Sequence, residues 1–253
     1  MSALVVVRGI VVRDARRWLR QGSRLAAGLG RPFLWVLFVG LGFQGIARVD
    51  EGIPYSAYAY PGGIAMGVLF GGMLTAISTV YDREFGMLRL MLASPAGTLP
   101  VLAGRTLSAA LVGTLQGLVV LAAAPLAMPV GPAQLAAGAL AVVAGALASA
   151  ALGLLVASRL TSVENFGGVI NVVLFPMLFL SGALAPLDRM PAAFRVAALA
   201  NPVTYLLDLL RHALGQRAAF GVATDLLALA LAFALAFGGA ALLFDPERRF
   251  LRR

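Results

Sequence analysis

Residues 81–98 read YDREFGMLRLMLASPAGT. They form the densest charged patch between two long apolar runs. Asp82, Arg83, Glu84 and Arg89 stand between a glycine-striped segment ending near Val80 and an apolar run starting near Thr106. Charge inside hydrocarbon is costly, so a compact polar stretch between two such runs marks a place where the chain meets water.

The rest of the chain supports that frame. Of 253 residues, 60% are apolar and 12% charged, and the mean hydropathy is +0.92. An ordinary soluble domain carries about 25% charged residues. The apolar residues gather in runs near the ~20 residues that cross ~30 Å of hydrocarbon. An all-α integral membrane protein follows, with the bilayer as its main solvent. Arg8, Arg13, Arg16 and Arg17 interrupt the apolar start, unlike a cleaved signal peptide.

Three absences narrow the chemistry. There is no Cys, which excludes disulfides and thiolate metal sites. His212 is the single histidine, which excludes a multi-histidine site. There is no Lys, and a Walker A loop needs one to reach the terminal phosphates. Neither ATP hydrolysis nor a metal or other cofactor is therefore expected in this chain.

Taken in order, residues 1–31 predict a basic amphipathic helix. Leu4, Val7, Val11, Ala15 and Trp18 recur at helical spacing, and Arg13, Arg16, Arg17, Arg20 and Arg24 form a second stripe. Such a helix lies in the membrane interface or docks on a partner. Six spans follow, at about 28–47, 61–81, 106–128, 133–157, 166–187 and 224–244, all within one transmembrane domain of residues 1–253. Gly63, Gly67, Gly71, Thr75 and Thr79 give the second span a small-residue face that suits close helix packing. A similar face runs from Ala133 to Ala157, in a segment rich enough in alanine for chance to produce it. Arg105 reads as the boundary before the third span. Gln116, Asn171 and Ser181 are pathway candidates, since polar groups within spans tend to be functional or to bond between helices. Pro176 predicts a kink in the fifth span.

Six spans put both termini on one side. Fifteen arginines fall on that side and five on the other, which places the termini and residues 81–98 in the cytoplasm. The same bias explains the net charge of +9 as topology, so nucleic acid is not an expected partner.

No catalytic constellation stands out. Asp208 and His212 lie one turn apart on a predicted helix, a spacing that serves structure more often than catalysis. No predicted span centre holds a charge. The connection 188–223 alternates apolar runs with prolines. Asn201 followed by Pro202 is a good helix start, and Val203, Leu206, Leu207, Leu210 and Leu214 fit one amphipathic face. Two short helices are predicted there, re-entrant into the outer leaflet or lying as a plain interfacial hairpin.

Two stretches now carry a resemblance. YDREFGMLRLMLASPAGTLPVLAGRTLSAALVG resembles the second-to-third span region of permease subunits of type-2 ABC exporters. FLSGALAPLDRMPAAFRVAALANPVTYLLDLLRHAL resembles that family's second signature. The drug and lipooligosaccharide export branch is the most similar. Arg105 stands where many relatives have Lys, so the charge is kept.

The resemblance implies a permease domain in a prokaryotic plasma (inner) membrane. It implies two permease copies, identical or homologous, and two separate ABC ATPase subunits that bind ATP and Mg2+. Asp82, Arg83, Glu84, Arg89, Ser94 and Pro95 would form the element that couples to the ATPase. Asn201, Pro202, Tyr205, Asp208 and Arg211 would lie on the outer gate helices. The cargo would be an amphiphilic drug, lipid or glycolipid. Two other classes remain open on the residues alone: a self-contained ion-coupled carrier or channel, and a membrane enzyme acting on lipids.

Overall fold

The computed structural model describes residues 3–20, 22–43, 53–92, 97–160 and 162–244. Every regular element among them is a helix. In chain order they are α1 (Ala3–Leu19), α2 (Gly22–Leu34, continued by a π-helical Trp35–Leu41), α3 (Tyr55–Thr75), α4 (Ile77–Glu84), α5 (Met87–Leu92) and α6 (Thr98–Ala122). Then come α7 (Pro132–Arg159), α8 (Val163–Leu180), α9 (Ala192–Leu199), α10 (Pro202–Ala213) and α11 (Val222–Phe244).

The bundle is organised around α3. All its residues except Ser56 and Leu74 are buried. It packs on α2, α6, α7, α8 and α10. Its small residues make that enclosure possible. A Cβ on Gly71 would come within 2.6 Å of Gly113 Cα, so α3 and α6 cross with their backbones in contact. A Cβ on Gly153 would lie 2.7 Å from Met73 Cα, so α7 does the same on another side of α3. Lipid tails are as apolar as Leu, so helices associate in a bilayer through such close packing. The α7 face is a packing face too: Ala141, Gly145, Ser149, Gly153 and Ala157 are all buried.

Among the described residues, five helices are long and apolar enough to cross a membrane. The first expected span departs from 28–47. Its apolar helical part, Gly28–Leu41, has 14 residues, or ~21 Å at 1.5 Å per residue; residues 44–47 lie outside the described set. The second span begins at Tyr55 rather than at residue 61 and, through α4, reaches Glu84. Pro61 read as a start because it lacks an N–H for the carbonyl four residues back. The protein supplies that bond from elsewhere: Gln216 Nε2 donates to Ala57 O at 2.8 Å.

The third span begins at Thr98 rather than at residue 106. Arg105 is therefore no boundary residue. It lies in the second turn of α6 and is buried, because two carboxylates neutralise it there. The fifth span ends at Leu180, short of residue 187, in a turn where Gly182 takes φ +92°. The fourth and sixth spans start and end within about two residues of expectation.

α1 departs in part from a lipid-facing helix. Leu4 and Val5 are exposed, but Ile10 and Asp14 are buried against α6. Ile10 sits over Gly104, where an added Cβ would meet it at 3.1 Å. Ile10, Leu88, Val101, Leu102, Leu154, Ala240 and Phe244 form a second, smaller core at this end.

The connection after α8 folds as the sequence predicts. α9 and α10 are two short helices bent by 83°. Asn201 caps α10: its side chain accepts from Val203 N at 3.1 Å, and its Nδ2 donates to Met177 O at 2.5 Å. Val203, Leu206, Leu207, Leu210 and Leu214 are all buried. Asn201→Ala removes both bonds. It should destabilise the protein by about 1–2 kcal/mol, more than a surface cap, because the Met177 carbonyl also loses its partner. Equilibrium unfolding of the solubilised protein checks this.

Candidate functional site

The charged stretch folds as an elbow. α4 ends at Glu84, Gly86 takes φ +76°, and α5 begins at Met87. That left-handed φ favours glycine, which is why the turn falls there. Phe85 stands 77% exposed at the corner, with Met87 half-exposed beside it. The Phe85 ring stacks on Tyr81 at 6.2 Å between centroids. A polar segment thus presents an aromatic tip, which the sequence reading, fixed on charge, passed over. The Phe-Gly pair after Glu84 was the available signal.

Behind the tip lies a four-membered ion cluster. Arg105 pairs with Asp82 and, at 3.4 Å, with Asp14. Arg13 reaches Asp14 at 2.8 Å and Asp82 at 3.0 Å. The cluster balances two guanidiniums with two carboxylates and joins α1, α4 and α6. Asp82 was a coupling candidate; its side chain turns inward instead, since Arg105 is buried and needs a counter-charge. Asp14 was missed, though one acid within an arginine-rich helix was a usable signal.

Arg83 and Glu84 grip the α7–α8 connection. Arg83 Nη1 donates to Ala157 O at 2.9 Å and to Leu160 O at 2.6 Å, and its guanidinium lies 5.0 Å from the Phe244 ring centroid. Glu84 Oε2 accepts from Val163 N at 3.1 Å. A cation thus sits at the carbonyl end of α7 and an anion at the N–H end of α8, each matching the local helix dipole. Arg89 lies on α5, but its side chain is outside the described residues, as are Ser94 and Pro95.

At the opposite end, side chains of α3 and α10 meet the turn after α8. Tyr58 Oη donates to Gly182 O at 2.8 Å, and Arg211 Nη2 donates to the same oxygen at 2.7 Å. The Arg211 guanidinium lies 4.4 Å from the Tyr58 ring centroid. Asp208 accepts from Ala219 N and Phe220 N at 2.7 and 2.8 Å. Tyr205 Oη donates to Leu199 O at 2.8 Å. Asn201, Pro202, Tyr205, Asp208 and Arg211 thus share α10 and its cap, as expected.

The three pathway candidates do not converge. Gln116 is buried and lines a cavity of about 220 Å³ between α1, α2, α3, α4 and α6, together with Arg17, Trp18, Arg31 and Tyr81. Its Oε1 has no hydrogen-bond partner among the described residues. Asn171 is exposed on α8 and bonds its own helix, Nδ2 to Gly167 O at 2.8 Å. Ser181 is buried and donates to Leu178 O at 2.6 Å, which closes its own helix end.

A helical bundle with membrane-length apolar helices, a polar elbow at one end and a bent helix pair at the other defines a polytopic membrane protein. Sequence comparison gives the particular family. The ABC-2 type transporter profile matches residues 6–214, and the chain belongs to that family. Nodulation protein J of Rhizobium leguminosarum bv. viciae is 34% identical over 202 residues, covering 73% of this chain and 71% of that protein. A protein of Cyanophora paradoxa named transport permease ycf38 is 26% identical over 214 residues, covering 82% and 72%. YbhR of Escherichia coli, named a multidrug ABC transporter permease, is 29% identical over 166 residues, covering 64% and 45%. The chain is the transmembrane subunit of an ABC transporter, and the family implies a partner ABC ATPase subunit. Such permeases are the transmembrane component and are generally not catalytic themselves.

Proposed function

We propose that this chain forms the translocation pathway of an ATP-driven exporter and that the α4–α5 elbow is its contact with the ATPase. The observation that carries this is the elbow itself: an exposed aromatic tip at the arginine-rich end, backed by a buried ion cluster. Two permease copies pair, and two ATPase subunits bind ATP and Mg2+ below them. This chain hydrolyses no ATP on its own. Both termini and the elbow lie in the cytoplasm of a prokaryote, with the spans in its plasma (inner) membrane. The arginine bias supports that orientation.

Phe85 and Glu84 are the elbow's contact residues, with Arg83 as the link to α7. Arg89, Ser94 and Pro95 continue the same element. The α9–α10 hairpin, with Asn201, Pro202, Tyr205, Asp208 and Arg211, is the outer gate. Gln116, Asn171 and Ser181 remain pathway positions. Val172, Phe175 and Phe179 make α8 apolar and exposed, which supports a second permease copy or lipid against it. The cargo is an amphiphilic drug, lipid or glycolipid. The apolar span interiors and the word multidrug in YbhR's name support that class.

Co-purification with the ATPase tests the proposal. Phe85→Ala should lower permease-dependent ATPase activity by about ten-fold or more, the loss typical of a buried aromatic interface anchor worth ~2 kcal/mol, with folding unchanged because the ring is exposed. A complex and activity equal to the unaltered protein's, in Phe85→Ala and Glu84→Ala together, would sink the elbow assignment.

A further inference from the structure

Three ligand-bearing side chains converge where α10, the loop after it and the first turn of α11 meet. Asp208, His212 and Asp225 each offer a donor atom, and these atoms all lie within 4.8 Å of one another. His212 Nε2 stands 3.9 Å from Asp208 Oδ2 and 3.9 Å from Asp225 Oδ2. Asp225 is completely buried, and neither of its carboxylate oxygens has a hydrogen-bond partner among the described residues. Asp208 is buried as well, with both oxygens fixed by the Ala219 and Phe220 N–H groups. Arg211, beside His212 in sequence, is committed to Gly182 O and the Tyr58 ring.

Buried carboxylates are found paired, hydrogen-bonded or on a metal. Asp225 lacks the hydrogen bonds. The imidazole, even when protonated, sets one positive charge against two carboxylates. We propose that Asp208, His212 and Asp225 hold a divalent cation of the zinc type. One imidazole and two carboxylates, without thiolate, suit Zn2+ better than the all-oxygen sets of Mg2+ or Ca2+. Ligands ~2.0–2.1 Å from a tetrahedral zinc lie roughly 3.3 Å apart. The two 3.9 Å separations need to close by about half an ångström, and the Asp208–Asp225 separation, within 4.8 Å, by up to about 1.5 Å.

The supporting groups fit. The two backbone N–H bonds orient Asp208 as an outer shell orients a metal ligand. His212 Nε2 now lies 2.7 Å from Phe220 O. Ligation through Nε2 releases any proton there to solvent and breaks this contact, so the carbonyl must draw back to admit the ion. The His212 side chain is 31% exposed and gives the ion its way in. Bound there, the cation ties α11 to α10. The site departs from the expectation that this chain holds no metal. It does not depend on the exporter reading, because binding is measured on the permease alone.

The test uses the full chain, purified in detergent without a histidine tag, stripped with EDTA and equilibrated with Zn2+. About one Zn2+ per chain should remain after desalting, and Co2+ in its place should give visible absorption bands of four- or five-coordination. Zn2+ should raise the melting temperature. Asp225→Asn and His212→Gln should each weaken retention by about ten-fold or more. His212→Gln alters a partly exposed ring, so it keeps the comparison open if the buried variant misfolds. No Zn2+ retention and no Co2+ bands in the unaltered protein would overturn the proposal and leave Asp225 as a protonated acid. Equal retention in His212→Gln, or binding of Mg2+ or Ca2+ in preference to Zn2+, would also overturn it.

Discussion

Arg105→Met should be the most damaging single change in the bundle, at about 3–5 kcal/mol, the range for removing one partner of a buried ion pair. The side chain is 2% exposed, and its loss leaves Asp14 and Asp82 with Arg13 as their one ion-pair partner among the described residues. Methionine fills much of the volume, so the effect isolates charge. Asp82→Asn added to Arg105→Met should recover a large part of the loss, because Arg13 and Asp14 then balance each other. A double-mutant cycle on equilibrium unfolding measures that coupling. The chain has no cysteine, so one placed at the buried Ile10 reports whether α1 stays docked. It should resist maleimide beside Arg105 and react beside Met. An Arg105→Met protein as stable as its parent would show that the cluster contributes nothing.

Gly71→Ala should be the next most damaging change. The new methyl meets Gly113 Cα at 2.6 Å and Gly113 N at 2.9 Å, both main-chain atoms. A flexible side chain would give way; a backbone cannot without separating α3 from α6. Overpacking of this kind costs about 1–3 kcal/mol and sometimes more. Gly238→Ala in α11 is the control, since nothing lies within 4 Å of its added Cβ. That change should be neutral or favourable by up to about 1 kcal/mol, the helix propensity difference. Thermal unfolding of the two variants side by side decides it. Equal behaviour would mean that α3 and α6 do not depend on their glycine contact.

Much of this architecture was legible because hydrophobic length and helix signals are local. The α10 cap at Asn201 and the buried face from Val203 to Leu214 follow from a few residues of sequence. The helix starts that went astray share one cause. Pro61 and Arg105 read as boundaries because each carries a local penalty inside a helix, a missing donor or a buried charge. Distant residues remove that penalty: Gln216 supplies the donor, and Asp14 with Asp82 supplies the charge. Spacing along the chain contains no trace of such partners.

The candidate sites divide in the same way. The residues from Asn201 to Arg211 were grouped from sequence because one helix and its cap hold them. The Asp208–His212–Asp225 group was read as a local pair, since Asp225 joins only when α11 folds back. Phe85 was overlooked because charge alone was weighed in this stretch, whereas the turn at Gly86 puts the ring outward.

The grip of Arg83 and Glu84 on the α7–α8 connection has a consequence for divergence. Both side chains bond main-chain atoms there: the carbonyls of Ala157 and Leu160 and the amide of Val163. Substitutions at those three positions, proline at 163 excepted, leave the atoms being held in place. The corner is free to drift while the contact persists. Methods that infer proximity from paired substitutions would not register these main-chain bonds, although the fold is tied there.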